Sequence, residues 1–276
     1  MVLSVQNNAS ALVALENLNK TNQSLAQTQA EISTGLAVST AKDNASVWSI
    51  AQAQRADIGA LNAVKMSLSR AASISDVTAA AGGSISDLLV QLREKVVGAM
   101  DPSLSATSRT ALNADYKALL RQIAQMTNSA TFDGANLLNG SLASDIQFLA
   151  NADGTSFITL SVKDMSLGGS IITLASSSTI GTVTAATANL ALLDSSLANV
   201  NQALGDLGSQ AKQVDAHTTF VTKLMDVLQT GVGNLVDADM AKDSARLQAL
   251  QVQQQLGIQS LSIANQAPQV ILSLFR

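Results

Sequence analysis

The 276-residue chain has a single histidine, His217. Hydroxyl-type nucleophilic catalysis needs a serine, an imidazole to take its proton, and a carboxylate to orient that imidazole. Ser209, His217 and Asp215 supply the three residue types within one short helical stretch. Three common residues on one helix carry no specificity, and a lone imidazole there is most simply a helix-surface residue. A metal centre needs several thiolate, imidazole or carboxylate ligands in one place. With one His and no Cys, neither a His pair nor a thiolate site exists. Gly231, Val232 and Gly233 are the nearest approach to a phosphate-cradling loop, but they follow a helical pattern rather than a strand. The expectation is no catalytic residue, no cofactor and no bound metal.

The chemistry that the sequence does favour is association. Residues 247–275 contain no Asp, Glu, Lys or Arg, and Arg246 and Arg276 fence them off. Eight glutamines interrupt this stretch. A spanning helix needs about 20 mostly apolar residues in a row, so no membrane segment is expected. Read as a helix, the stretch carries two apolar stripes. One runs through Leu247, Leu250, Gly257 or Ile258, Leu261 and Ala264; the other through Ala249, Val252, Leu256, Ile263, Ala267 and Val270. A surface helix of a globule needs one stripe. Two stripes without charge imply neighbours on several sides, and further copies of the chain are the expected source.

The beginning of the chain answers its end. Leu15, Leu18, Asn22, Leu25, Gln29, Ile32 and Leu36 alternate in steps of three and four. That is coiled-coil spacing, with Asn22 and Gln29 as polar register-fixing positions. The two ends are expected to pair as antiparallel helices.

Composition agrees. Charged residues make up 13% of the chain, about half the usual ~25%, as suits a surface covered by copies of itself. The net charge of −4 argues against nucleic acid, which calls for a basic patch. The start, MVLSVQNNASALVALE, has neither a basic n-region nor a long apolar h-region, so a cleaved signal peptide is not expected.

Between the ends, Ser39 or Thr40 is placed to cap a helix over residues 43–98, with Asp43 in its first turn. Gly82 and Gly83 weaken that helix by ~1 kcal/mol each. Asp101 and Pro102 end it, and a further helix follows over residues 104–128. Residues 146–150 and 157–162 alternate in a β pattern around Asn151, Ala152, Asp153 and Gly154, a hairpin sequence; residues 171–174 could add a strand. Helical periodicity returns from Leu190 to Leu228, and Gly231 to Gly233 mark a joint before the last helix. The predicted fold is mainly α: long antiparallel terminal helices, coiled-coil-like, plus a helical bundle or rod with a small β-hairpin region.

Three blocks carry a family resemblance: NLNKTNQSLAQTQAEISTGLAVSTAKDNASVWSIA from Asn17, TNSATFDGANLL from Thr127, and ANQAPQVILSLFR from Ala264. In this order they resemble the conserved ends of bacterial flagellins. The likeness covers about 1–140 and 185–276. It implies a structural subunit that self-assembles into the helical filament used for swimming. It also implies export to the cell exterior without a cleaved signal peptide, through the flagellar export apparatus with a secretion chaperone, and contacts with filament cap and hook-junction proteins. Residues 1–42 and 235–276 would form the inner tube, and residues 43–234 the outer one, with the β element at about 140–187. That middle is too short for projecting domains.

On this reading Leu15, Leu18, Leu25, Ile32, Leu36, Leu247, Leu250, Leu256, Leu261 and Ile263 carry assembly. The family's immune-receptor motif, Arg-x-Arg-Glu-Leu, aligns with Gln91, Leu92, Arg93, Glu94 and Lys95, and its acidic partner with Gln122: a degenerate motif that implies weak detection. Ser176, Ser177, Ser178, Thr179 and Thr182, with Thr184 and Thr187, form the hydroxyl-rich stretch where the family often bears O-linked sugars. A hook–filament junction protein and a soluble coiled-coil protein share parts of this pattern and remain as alternatives.

Overall fold

The computed structural model describes residues 8–273, with side-chain surroundings through residue 266. The elements in chain order are α1 (Ala9–Thr34), α2 (Ala45–Ala99), α3 (Ala106–Ser129), β1 (Ile146–Leu149), β2 (Phe157–Leu160), α4 (Val183–Val236) and α5 (Met240–Ser273). The mainly α fold with one small hairpin is as the periodicities predict. The chain divides into two compact units. One is drawn from both ends, up to Ala56 and from Val227 onward; the other is Asp57–Asp226.

In the terminal unit, α1 and α5 pack on one another. The Asn8 side chain caps α1 by accepting the Ala11 amide at 3.2 Å. Gly35 ends it in the left-handed region, φ 72°, and donates its amide to the Glu31 carbonyl. That geometry favours glycine, and it stops the helix before Leu36. The predicted heptad therefore does not reach Leu36, which bridges Asp237 in an isolated antiparallel pair. The second joint also differs from expectation. Gly231 and Gly233 stay inside α4, and the chain turns at residues 237–239. Asp239 does the turning: its carboxylate accepts the Ala241 and Lys242 amides at 3.1 Å and starts α5.

The Asp57–Asp226 unit holds the core. Leu89, Leu92 and Val96 of α2, Tyr116, Leu120 and Ile123 of α3, and Leu193, Val200 and Leu207 of α4 close on Met165, Ile172 and Leu174. Gly82 and Gly83 do not break α2. A β-carbon at Gly82 would stand 2.6 Å from the Leu204 side chain of α4, so the missing side chain makes room for that leucine. β1 and β2 pair antiparallel from Ile146 with Leu160 to Leu149 with Phe157. Asn151 holds the connection by accepting the Thr155 and Ser156 amides, each at 3.0 Å.

Residues 171–174 form no third strand. Ile172 and Leu174 are fully buried, but the Thr173 amide is taken by the Ser196 hydroxyl of α4 instead of a sheet neighbour. Their apolar character belongs to the core rather than to a ladder. The helix starts differ as well: Asn44, not Ser39 or Thr40, caps α2, by accepting the Val47 amide.

Candidate assembly surface

The α1–α5 pair shows which apolar stripe is used within one chain. On α5 the residues turned toward α1 are Leu247, Leu250, Gln254, Gly257, Leu261 and Ala264, all half-buried. On α1 they are Ala11, Ala14, Leu18, Thr21, Leu25, Thr28 and Ile32. The predicted seam is right at Leu18, Asn22, Leu25 and Ile32 and off by one at Leu15 and Gln29. Ala14 and Thr28 replace Leu15 and Gln29 as alternate positions, while Asn22 stays half-buried beside Thr21. The missing side chain at Gly257 lets the helices approach closely: a β-carbon there would lie 3.1 Å from Leu18. Register is fixed by polar bonds. The Gln254 amide donates to Asn22 at 2.8 Å, and the Asn8 amide donates to the Ala264 carbonyl at 2.8 Å.

The other stripe has no cover within the chain. Val252, Leu256 and Ile263 are each more than half exposed on α5, as are Leu12 and Val13 on α1; Leu15 is 42% exposed, and Ile258, the alternative to Gly257 on the first stripe, points outward as well. Ala249 of that stripe is exposed too, while Ala267 and Val270 lie outside the residues whose side chains are described. Thr28 alone is fully buried on α1. Burial of apolar area is what stabilises such a pair, at ~25 cal/mol per Å², and most of it is not collected by one chain.

The joint between α1 and α2 is built on Asp43. One of its carboxylate oxygens accepts four donors: the Thr40 amide (2.8 Å), the Ser39 hydroxyl (3.0 Å), the Ser39 amide (3.1 Å) and the Thr40 hydroxyl (3.1 Å). The Thr40 amide first, then the Ser39 hydroxyl, hold its pKa below the ordinary value of 3.8. A lowered folded-state pKa means that the stabilisation is present above the unfolded value and is lost as pH falls through the folded one. The joint is therefore intact across neutral and mildly acidic pH and loosens only below the usual aspartate range. Trp48, half-buried in the first turns of α2, reports on it. Acid titration of the fluorescence should show this late transition. Asp43→Ala should give the loosened signal already at neutral pH, with no acid step.

The remaining sequence-nominated residues fall in the Asp57–Asp226 unit. Gln91, Arg93 and Glu94 are exposed on α2, and Gln122 is exposed on α3. Arg93 pairs with Asp194 at 2.7 Å, and Lys95, less exposed, lies 3.5 Å from Asp115. Of the hydroxyl-rich stretch, Ser176 and Ser177 are exposed in a turn. Thr179 donates to Asn113 at 2.7 Å, Thr182 accepts the Ala185 amide at the start of α4, and Ser178 is half-buried. Ser178 lies by the buried Tyr116 phenol. Burial pushes that phenol up to about 12, while the Ser178 hydroxyl pulls weakly the other way without closing a hydrogen bond of normal geometry.

His217 is not the plain surface residue that the sequence suggests. It is half-buried, with Nε2 2.6 Å from the Ala150 carbonyl at the base of the hairpin and its ring 5.7 Å from that of Phe220. The Ser209 hydroxyl donates to the Asp206 carbonyl, so no nucleophile–base pair forms. No sequence periodicity signals a long-range clamp of this kind. Among the described residues no cluster of His, Cys, Asp or Glu could hold a metal ion, and no helix is long and apolar enough to cross a membrane.

Comparison with known proteins matches two family models. Residues 5–143 fit the bacterial flagellin N-terminal helical region, and residues 190–275 the bacterial flagellin C-terminal helical region. The chain is 54% identical to flagellin FljJ of Caulobacter vibrioides over 100% of its length and 99% of that protein. Among solved structures, the fold is similar to Bacillus cereus flagellin (TM-score 0.50, 24% identity, 56% of this chain and 88% of that one). It is also similar to a protein described as a flagellar hook-associated protein from Vibrio parahaemolyticus (TM-score 0.56, 13% identity, 71% of this chain and 100% of that one).

Proposed function

The chain belongs to the bacterial flagellin family, and from that premise we propose how its two units divide the work of building a filament. It is a structural subunit of the flagellar filament, related over its full length to flagellins rather than to a junction protein or a free coiled coil. We assign it no catalytic role. The terminal segments, residues 1–42 and 235–276, are the inner-tube part, and residues 43–234 the outer part. The observation that carries this is the uncovered stripe of Val252, Leu256 and Ile263 beside a seam already filled by α1. A second copy of the same pair is its natural cover. Salt-induced polymerisation of purified subunit, viewed by electron microscopy, tests the reading: long tubes are expected, and short aggregates or none would overturn it.

The same burial pattern bears on export. Isolated helices are marginal in water, and α1 buries one residue fully. Before assembly the terminal pair opens readily, which suits passage through a narrow export channel with a chaperone on the exposed segment. Filament cap and hook-junction proteins then receive the same surface. Limited proteolysis of dilute subunit should trim about residues 1–40 and 237–276 and leave the Asp57–Asp226 core. Equal resistance of ends and core would refute this order of events.

Glycosylation belongs at Ser176 and Ser177. They are exposed, whereas Thr179 and Thr182 are committed to Asn113 and to the start of α4. The intact mass of filament taken from cells should exceed the sequence mass, and the excess should disappear in Ser176→Ala/Ser177→Ala. A mass equal to the sequence value would rule sugars out.

A further inference from the structure

The chain contains one Asn-Gly step, Asn139-Gly140. It lies in the loop between α3 and β1, with Asn139 half-buried and Gly140 exposed at φ 67°. The Asn139 side-chain carbonyl accepts the Ser141 amide at 3.0 Å. This turn folds the side chain over the intervening Gly140 peptide, which is the approach that ring closure needs. The bond also polarises the carbonyl, and glycine has no side chain to shield its amide nitrogen.

We propose that Asn139 is a site of spontaneous deamidation in the folded subunit, an ageing mark of the polymer. The Gly140 amide nitrogen attacks Asn139 Cγ, forming a C–N bond and expelling ammonia, which leaves with the displaced proton. Water then opens the cyclic imide. Attack at Cγ yields aspartate; attack at the Asn139 main-chain carbonyl yields isoaspartate, with one extra carbon in the backbone. Nothing is oxidised or reduced.

The surroundings decide what the change does. The strand of chain through Leu137 and Leu138 is laced to residues 163–165 by the Lys163 amide on the Leu137 carbonyl and the Met165 amide on the Leu138 carbonyl, both 2.8 Å. Asn136 accepts the Leu138 and Asn139 amides. A β-carbon placed on Gly140 would already stand 3.0 Å from the Asp164 carboxylate. A lengthened backbone and a new negative charge beside Asp164 disturb this lacing, and Leu137, Leu138 and Met165 beneath it are fully buried.

The test incubates full-length protein at mildly alkaline pH and 37 °C beside a synthetic peptide of residues 134–145, followed by proteolytic digestion and mass spectrometry. The Asn139 fragment is expected to become one mass unit heavier and to accept methyl groups from an isoaspartyl methyltransferase, at a rate within an order of magnitude of the peptide's. Asn128 (before Ser) and Asn151 (before Ala) should stay unchanged. Asn139→Gln should block the conversion and keep the melting point, whereas Asn139→Asp should lower it. Conversion of the peptide with an unmodified Asn139 in the folded protein would overturn the proposal.

Discussion

Leu256→Asp leaves the subunit's melting unchanged and abolishes polymerisation. Leu256 is 57% exposed in the single chain, and a surface substitution away from special features shifts stability by at most about 0.5 kcal/mol. On the proposed packing the same side chain faces a second copy, on a stripe without a basic residue: from Leu247 to the end of the described side chains α5 carries no charge. A carboxylate buried there without a partner costs several kcal/mol. A cost of about 4 kcal/mol raises the concentration needed for assembly about a thousandfold. Leu261→Asp separates the two stripes, because Leu261 is half-buried in the α1–α5 seam. It should weaken the terminal pair within the subunit as well, seen as faster trimming of both ends, while the Asp57–Asp226 core melts as before. Sedimentation after salt-induced polymerisation, set beside the melting curve, reads both variants. Normal filaments from Leu256→Asp would mean that the stripe faces solvent in the polymer.

These predictions lean on what was legible in the residues, and the parts that were not legible have physical causes. Both stripes of α5 could be read from periodicity, because a charge-free helix leaves few competing signals. The α1 seam was legible at Leu18, Asn22, Leu25 and Ile32 but not at Leu15 or Gln29. Apolar weight favoured Leu15, yet the smaller Ala14 and Thr28 are turned inward, beside Leu18 against Gly257 and the Asn8 and Gln254 bonds across the pair. Packing geometry overrode hydropathy. The joints were misplaced for a similar reason. Gly231 and Gly233 look like breakers, yet α4 runs through them, and a β-carbon at Gly233 would stand 2.7 Å from the Asp237 carboxylate. Glycine marks a close approach there as it does at Gly82, and the turn is made beyond the end of α4 by Asp239. Residues 171–174 had a strand's composition because they are buried, and burial alone does not choose between a ladder and a core-facing loop. The His217 clamp on Ala150 and the Asn113 acceptor for Thr179 join residues 66 or 67 positions apart, beyond the reach of any local pattern.

The unaltered subunit should activate the flagellin-sensing Toll-like receptor only weakly, and the triple variant Gln91→Arg, Lys95→Leu, Gln122→Glu should activate it strongly. The receptor assignment rests on family resemblance; the structure supplies the energetics of the exchange. Arg93 is half-exposed and tied to Asp194, a surface pair worth about 0–1 kcal/mol, so it is cheaply released to a partner. Lys95 keeps 31% of its side chain exposed beside Asp115. A partner closing over it must strip water from an ammonium, which costs free energy that a leucine would not. Gln91 and Gln122 offer neutral groups where the motif has charges, and a charge-assisted bond contributes about 1.5–3 kcal/mol. Each such loss is about a tenfold change or more, and three in one small patch exceed a hundredfold even though such terms do not simply add. All four side chains stand on α2 or α3 outside the buried core, so the variant should fold and melt as the parent does. A reporter-cell assay with monomeric protein measures the difference. Equal, strong signalling from both proteins would show that these positions do not set detection.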